Sequence, residues 1–193
     1  MENGSGHGLA GLLEIATRCG SGAALKNGIC WSAEADTERS WSHWIRFYFQ
    51  PLILPHLMEV QSLSSRQFVR EILLRDREFS EVLSEEAQRK SVEAGRHLLL
   101  HKSIKADRTF YRIQQAVQAG TTPGHFPTLF AVRAAMFSIA PRTAVMAYLL
   151  QELICEIADP DYQAELLALG LSEVNDFFRR SVELEPETAP SNA

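Results

Sequence analysis

Apolar residues recur at three- and four-residue spacing along almost the whole chain, and no run alternates apolar and polar positions as a half-buried strand would. Leu9, Leu12, Leu13 and Ala16 make the first such face, predicting a helix from about Leu9 to Cys19 that ends at Gly20. The small residues from Ala23 to Ala35 read as a loop entering a short, closely packed helix. Asp36 and Thr37 are candidate caps for a helix carrying Trp41, Trp44, Ile45, Phe47, Tyr48 and Phe49, which Pro51 and Pro55 should kink or divide. Ser62 or Ser64 is a candidate cap for a helix with Phe68, Val69, Ile72 and Leu73 on one side.

A long helix is expected from about Ser80 to Lys102, with Leu83, Ala87, Ala94 and Leu98 buried and Glu81, Glu85, Arg89 and Lys90 wet. Another runs from Asp107 to Ala119 and closes at Gly120. Thr121-Thr122-Pro123-Gly124 is the clearest turn. Beyond it, Phe126 to Ile139 and Arg142 to Ala158 should form a helical hairpin around Pro141, its second arm apolar nearly all round and therefore central. Asp159 caps a helix with Pro160 at its first position, and Ser172 caps a last helix reaching about Leu184. Residues 1–8 are Gly-rich and read as a flexible tail; residues 185–193, with two prolines, read as a disordered one. The expected fold is all-α, a single-domain helical bundle of about eight to ten helices over residues 9–184.

With 193 residues, 46% of them hydrophobic and 22% charged, the chain can bury a core without staples. A net charge of −5 argues against a nucleic-acid surface and gives no help toward anionic lipid. Cys19, Cys30 and Cys155 are scattered and odd in number, which suits a reducing compartment. The start carries no positive n-region and apolar h-region, and Ala144 to Ala158 is interrupted by Glu152 and Glu156. That stretch falls short of the roughly 20 apolar residues a bilayer needs. A cytoplasmic protein is expected, with neither nucleic acid nor membrane as partner.

Candidate chemistry is sparse. Gly20-x-Gly22 with Lys26 and Gly28 lacks both the GK[ST] signature and a preceding strand, so a turn with close helix approach is the better reading than a phosphate loop. Glu93, His97 and His101 share one side of the long helix and are weak candidate ligands for zinc or nickel, incomplete without donors from elsewhere. His43, His56 and His125 are isolated in sequence. No ExxH, GxSxG, SxxK or HExxH motif occurs, so no self-sufficient catalytic site is expected and no resident cofactor. The aromatics from Trp31 to Phe49 read first as core filling and second as an interaction surface, because one helix cannot bury aromatics on every side of a small bundle. Phe177 and Phe178 point about 100° apart on a helix, which makes them candidates for an associating patch.

The order of these features resembles the urease accessory protein UreF family. Leu12-Leu13-Glu14-Ile15-Ala16 leading to Gly22 and on to Gly28-Ile29-Cys30-Trp31 looks like the family's opening helix and Gly-rich segment. Trp41, Trp44 and the leucines to Leu57 resemble its second helical region. Gly95-Arg96-x-Leu98-Leu99 is similar to its Met-Gly-Arg-x-Leu-Leu helix. Phe126-Pro127-x-x-Phe130-Ala131, Ile139 and Ala147-Tyr148-Leu149 look like its Phe-Pro-x-x-Phe-Ala, Gly-Ile and Ala-Tyr-Leu hairpin. The chain departs from the pattern at Leu25, Lys26, Cys30 and Gln151-Glu152-Leu153.

The resemblance implies a non-enzymatic maturation chaperone. Such a protein dimerises, binds UreD (also called UreH) and the GTPase UreG, and assists nickel insertion into apo-urease. Trp41, Trp44, Tyr48, Tyr148, Phe177 and Phe178 are then the candidate partner-binding residues. Two other readings are a helical cofactor-binding enzyme of the heme-oxygenase or thiaminase type, with His43, His56 or His125 lining a cavity, and an unrelated helical adaptor.

Overall fold

The computed structural model describes residues 9–20, 31–100 and 107–183, with side chains as far as residue 175. The tails expected at residues 1–8 and 185–193, and the segment holding Gly22, Lys26, Gly28 and Cys30, lie outside them. Among the described residues there are nine α-helices, one π-helical segment and no strand, as expected for an all-α bundle. In chain order these are α1 (Leu9–Gly20), α2 (Thr37–Trp44), the π segment (Ile45–Ile53), α3 (Leu54–Ser65), α4 (Val69–Glu81), α5 (Glu85–Leu100), α6 (Arg108–Gln118), α7 (Phe126–Met136), α8 (Pro141–Ile154) and α9 (Pro160–Glu183). Residues 31–35, the described end of the segment expected to enter a short helix, are not helical.

Several ends follow from local chemistry. The Asp36 carboxylate accepts from the Arg39 amide at 3.1 Å, and that of Asp107 from the Phe110 amide at 2.7 Å, each occupying a donor the helix leaves free. The expected long helix is in fact two. It breaks at Val82-Leu83-Ser84, because Ser84 is itself a cap: its Oγ accepts from the Ala87 amide at 3.3 Å, with Glu85 and Glu86 in the positive first turn. Ser80 and Glu81 therefore end α4 rather than begin α5. The expected inward stripe of Leu83, Ala87, Ala94 and Leu98 is buried.

Ser62 and Ser64 do not cap a following helix; they lie in the last turn of α3, and Phe68 stands at the start of α4 with its ring exposed beneath the Arg66 guanidinium. The helix stops because Gln67 adopts a left-handed conformation (φ 60°), with Phe68 N–H donating to Leu63 C=O and Gln67 N–H to Ser64 C=O. Ser138 (φ 55°) ends α7 with the same pair of bonds, to Ala134 and Ala135, and Gly120 (φ 69°) ends α6 likewise. Only glycine tolerates that conformation without strain. Ser138→Gly is therefore expected to stabilise the fold by about 0.5–1 kcal/mol, read as a higher urea midpoint at unchanged m-value.

Ser172 does not start a separate helix either. Gly170, two residues before it, lies inside α9; a Cβ there would stand 2.7 Å from Ile45 Cδ1 and 2.9 Å from Trp41 Nε1. Glycine is present for close packing, not to end the helix. The last two-helix unit also packs otherwise than a hairpin would: α7 runs against α3 and α5, and α8 against α1 and α9, with little contact between α7 and α8. Both are central. Nine successive residues of α7, Phe126 to Ala134, are buried, and so is all of Ala147 to Leu153 in α8.

One of those nine is Arg133, only 1% exposed, whose Nη2 donates to the Arg18 carbonyl at the C-terminal end of α1. A cation there complements the helix dipole. Burial lowers its pKa to about 10 and pushes the neighbouring Cys19 thiol up to about 12, so the thiol stays protonated at neutral pH.

Candidate partner-binding groove

A row of rings runs through the N-terminal half of the bundle. Trp31 meets Trp41 edge-on at 5.0 Å, Trp41 stacks on Trp44 at 5.3 Å, and Trp44 leads through Phe49 (5.5 Å) to Tyr148 (5.9 Å). Tyr148 in turn contacts Phe130 at 5.1 Å and Phe126 at 6.0 Å. Trp41 Nε1 donates to the Leu166 carbonyl at 2.7 Å, fastening the row to α9. Trp41, Trp44 and Tyr148, singled out as partner-binding residues, are thus core residues with exposures of 0%, 5% and 0%. The physical reason is distance along the chain: α9 covers Trp41 through Leu166 and Gly170, and no local pattern near residue 41 announces that cover. Phe177 and Phe178 sit on α9 beyond residue 175, and their side chains lie outside the described ones.

Tyr48 differs. Pro51 lacks the N–H an α-helical ladder needs, and across it the backbone widens into the π register, closing with Leu54 N–H on Phe49 C=O. The chain is therefore neither broken nor visibly divided at Pro51 and Pro55. The wider turn keeps Ile45, Phe49 and Ile53 inward and leaves Arg46, Phe47 and Tyr48 outward. Arg46 and Gln50 tie this segment to α9: Arg46 Nε and Nη2 donate to the Glu173 carboxylate at 2.9 and 3.2 Å, and Gln50 Nε2 to the Glu173 carbonyl at 3.0 Å. Phe47 is 62% exposed and Tyr48 46%, with the His43 ring 4.6 Å from Phe47 and 6.3 Å from Tyr48.

His43 and Tyr48 line a half-open groove of about 900 Å³ between residues 31–52 and the α4–α5 break. Trp44, Tyr48 and Leu52 form one wall and Val82, Leu83 and Ala87 the other, with Glu34, Asp36 and Arg39 at the rim. Val82 is 58% exposed. The lining pairs apolar area with charge, the make-up of a surface that binds a macromolecular segment.

The remaining histidines lie elsewhere. His56 and His125 sandwich Phe79, at 4.1 Å stacked and 5.6 Å edge-on. His56 Nε2 is 2.8 Å from Thr128 Oγ1, and His125 Nε2 is 2.6 Å from Ser80 Oγ. Ser80 and His125 make a hydroxyl–imidazole pair, but the nearby Asp76 does not orient that ring. Its buried carboxylate accepts instead from Thr122 Oγ1 (2.7 Å), Gly124 N–H (2.6 Å) and His125 N–H (2.9 Å), clamping the turn that starts α7. Charge-assisted bonds of this kind are worth about 1.5–3 kcal/mol each and offset the carboxylate's loss of water. With the third member of a relay missing, the arrangement is a structural clamp. Of the three histidines only His43 lines the groove.

Glu93 and His97 are exposed on α5, and His101 lies outside the described residues. Among the described residues no three His, Cys, Asp or Glu side chains are grouped to hold a metal ion, and no helix is long and apolar enough to cross a membrane.

The residues that carried the family resemblance have packing roles. A Cβ on Gly95 would stand 2.0 Å from the Gly124 carbonyl oxygen, so α5 crosses the Thr121–Gly124 turn at backbone contact. Arg96 faces solvent, while Phe126, Pro127 and Phe130 are buried in α7. The UreF family model matches residues 53–154, which is more than half of the chain and runs from the last residue of the π segment through α8. No curated protein and no solved structure matches the chain. With the matched segment comprising the helices that build the core, and with Gly95, Phe126, Phe130 and Tyr148 at its tightest contacts, the chain belongs to the UreF family of urease accessory proteins.

Proposed function

We propose that the chain is a non-enzymatic adaptor in urease maturation. It acts as a homodimer that binds a UreD/UreH-type protein and a UreG-type GTPase, and in their complex assists nickel insertion into apo-urease. The family match over residues 53–154 carries this reading. The exposed rings of Phe47 and Tyr48 support its mode of action, since apolar groups left in solvent beside a groove are usually explained by association. Nickel is cargo in this scheme, and the chain keeps no cofactor of its own.

Three measurements test it. Light scattering on the purified chain is expected to give twice the monomer mass. Apo-urease incubated with nickel, GTP, the UreD/UreH-type and UreG-type proteins should gain activity only when this chain is added. The pair Phe177→Ala with Phe178→Ala should keep helical circular dichroism while losing co-purification with the UreD/UreH-type protein. A monomer that captures neither partner and leaves activation unchanged would overturn the proposal.

A further inference from the structure

We infer that the groove between the π segment and the α4–α5 break is a docking site for a short amphipathic helix of a partner protein, aliphatic along one face with lysines or arginines beside it. The inference goes beyond the urease reading and does not rest on it.

Three observations lead there. The volume of about 900 Å³ is too large for one inserted side chain and, being half-open to solvent, leaves room for several. The walls are apolar on both sides: Trp44, Tyr48 and Leu52 face Val82, Leu83 and Ala87. A helix laying residues i, i+3, i+4 and i+7 into such a trough buries aliphatic groups against both walls, the usual mode for grooves of this kind. The third observation is charge. Glu34 and Asp36 line the rim, Glu81 and Glu85 bracket the Val82–Ser84 wall, and among the described residues none of the four is in an ion pair. Arg39 is the one lining residue of permanent positive charge. Two lining carboxylates against one lining guanidinium, with Glu81 and Glu85 flanking the second wall in sequence, favour a basic occupant and disfavour an acidic one.

The groove's aromatic wall also precedes residue 53, where the family match begins. The groove is therefore built jointly by the matched segment, which supplies Val82, Leu83 and Ala87, and by residues before it.

The test uses synthetic helical peptides of about four turns. One has leucines along one face and lysines beside them; a second has glutamates for the lysines; a third has serines for the leucines. Trp31 and Trp44 line the groove, so tryptophan emission reports occupancy directly. The leucine–lysine peptide should saturate the signal at one per chain and weaken with added salt. The other two should bind at least about tenfold more weakly. Tyr48→Ser, and separately Glu34→Lys with Glu81→Lys, should each weaken the leucine–lysine peptide about five- to tenfold. These sites are exposed, so thermal melting should be unchanged. Leu74→Ser, at an exposed leucine of α4 that does not line the groove, is the control and should bind as the parent does. Equal binding of the glutamate peptide, no binding of the lysine one, or undiminished binding by the Tyr48 and Glu34/Glu81 variants overturns the proposal.

Discussion

Gly95→Ala is expected to cost the fold about 3 kcal/mol or more, the largest loss for so small a change anywhere in the described residues. The added methyl would sit 2.0 Å from the Gly124 carbonyl oxygen, with the Gly124 and His125 carbonyl carbons at 3.1 and 3.2 Å. All three are backbone atoms, and Asp76 holds that backbone by its bonds to Gly124 and His125. The neighbour cannot turn aside as a side chain could. α5 must withdraw, and with it the burial of Leu98 and Ala94. Gly120→Ala is the informative comparison. No atom lies within 4 Å of its Cβ, but its φ is +69°, so only the left-handed penalty applies, about 1 kcal/mol. Urea unfolding of the two variants should separate them clearly; equal losses would mean that the α5 crossing is not the tight contact described.

Acid should weaken the protein before its carboxylates titrate. Burial holds the His56 imidazole down at about 4, with the Asp76 charge opposing and His125 and Arg75 adding to the shift, and burial also lowers His125. In the unfolded chain both titrate near 6.5. Because the folded pKa lies below the unfolded one, the unfolded state takes up protons first. Stability is complete above about pH 6.5 and is lost as the pH falls toward about 4, where the His56 contribution levels off. One histidine gives a slope of about 1.4 kcal/mol per pH unit, hence about 2 kcal/mol between pH 6.5 and 5 and about 3 kcal/mol in all. Unfolding free energies at pH 7.5 and 5.0 should differ by about 2 kcal/mol less in His56→Gln than in the parent. The variant also loses the stack on Phe79, which lowers stability at both pH values and cancels in the difference. An unchanged pH dependence would show that His56 is protonated in the folded state.

Which parts of this molecule were legible in its sequence follows the range of the forces involved. Asp36 was readable as a cap because a carboxylate three residues before a free amide acts within one turn. Ser84 followed by two glutamates carried the same signal and was passed over for Ser80, since the apolar stripe runs on through Leu83 without a gap. The ends at Gln67 and Ser138 carried no signal, because non-glycine residues hold the left-handed position there.

Helix content, the inward stripes and the family motifs depend on 3.6-residue periodicity and on short strings of residues, and the sequence alone determined them. The groove is another matter. Periodicity treats residues 41–49 as one α-helix and cannot separate Trp41, buried against α9, and Trp44, stacked on it, from Phe47 and Tyr48, turned out by the π register around Pro51. Ser172 looked like the start of a last helix, but α9 runs through it, and Gly170 is where α9 passes over Trp41 and Ile45. Burial at these positions is set by chain more than a hundred residues away, and only the tertiary structure decides it, because area is removed from water by whatever arrives to cover it.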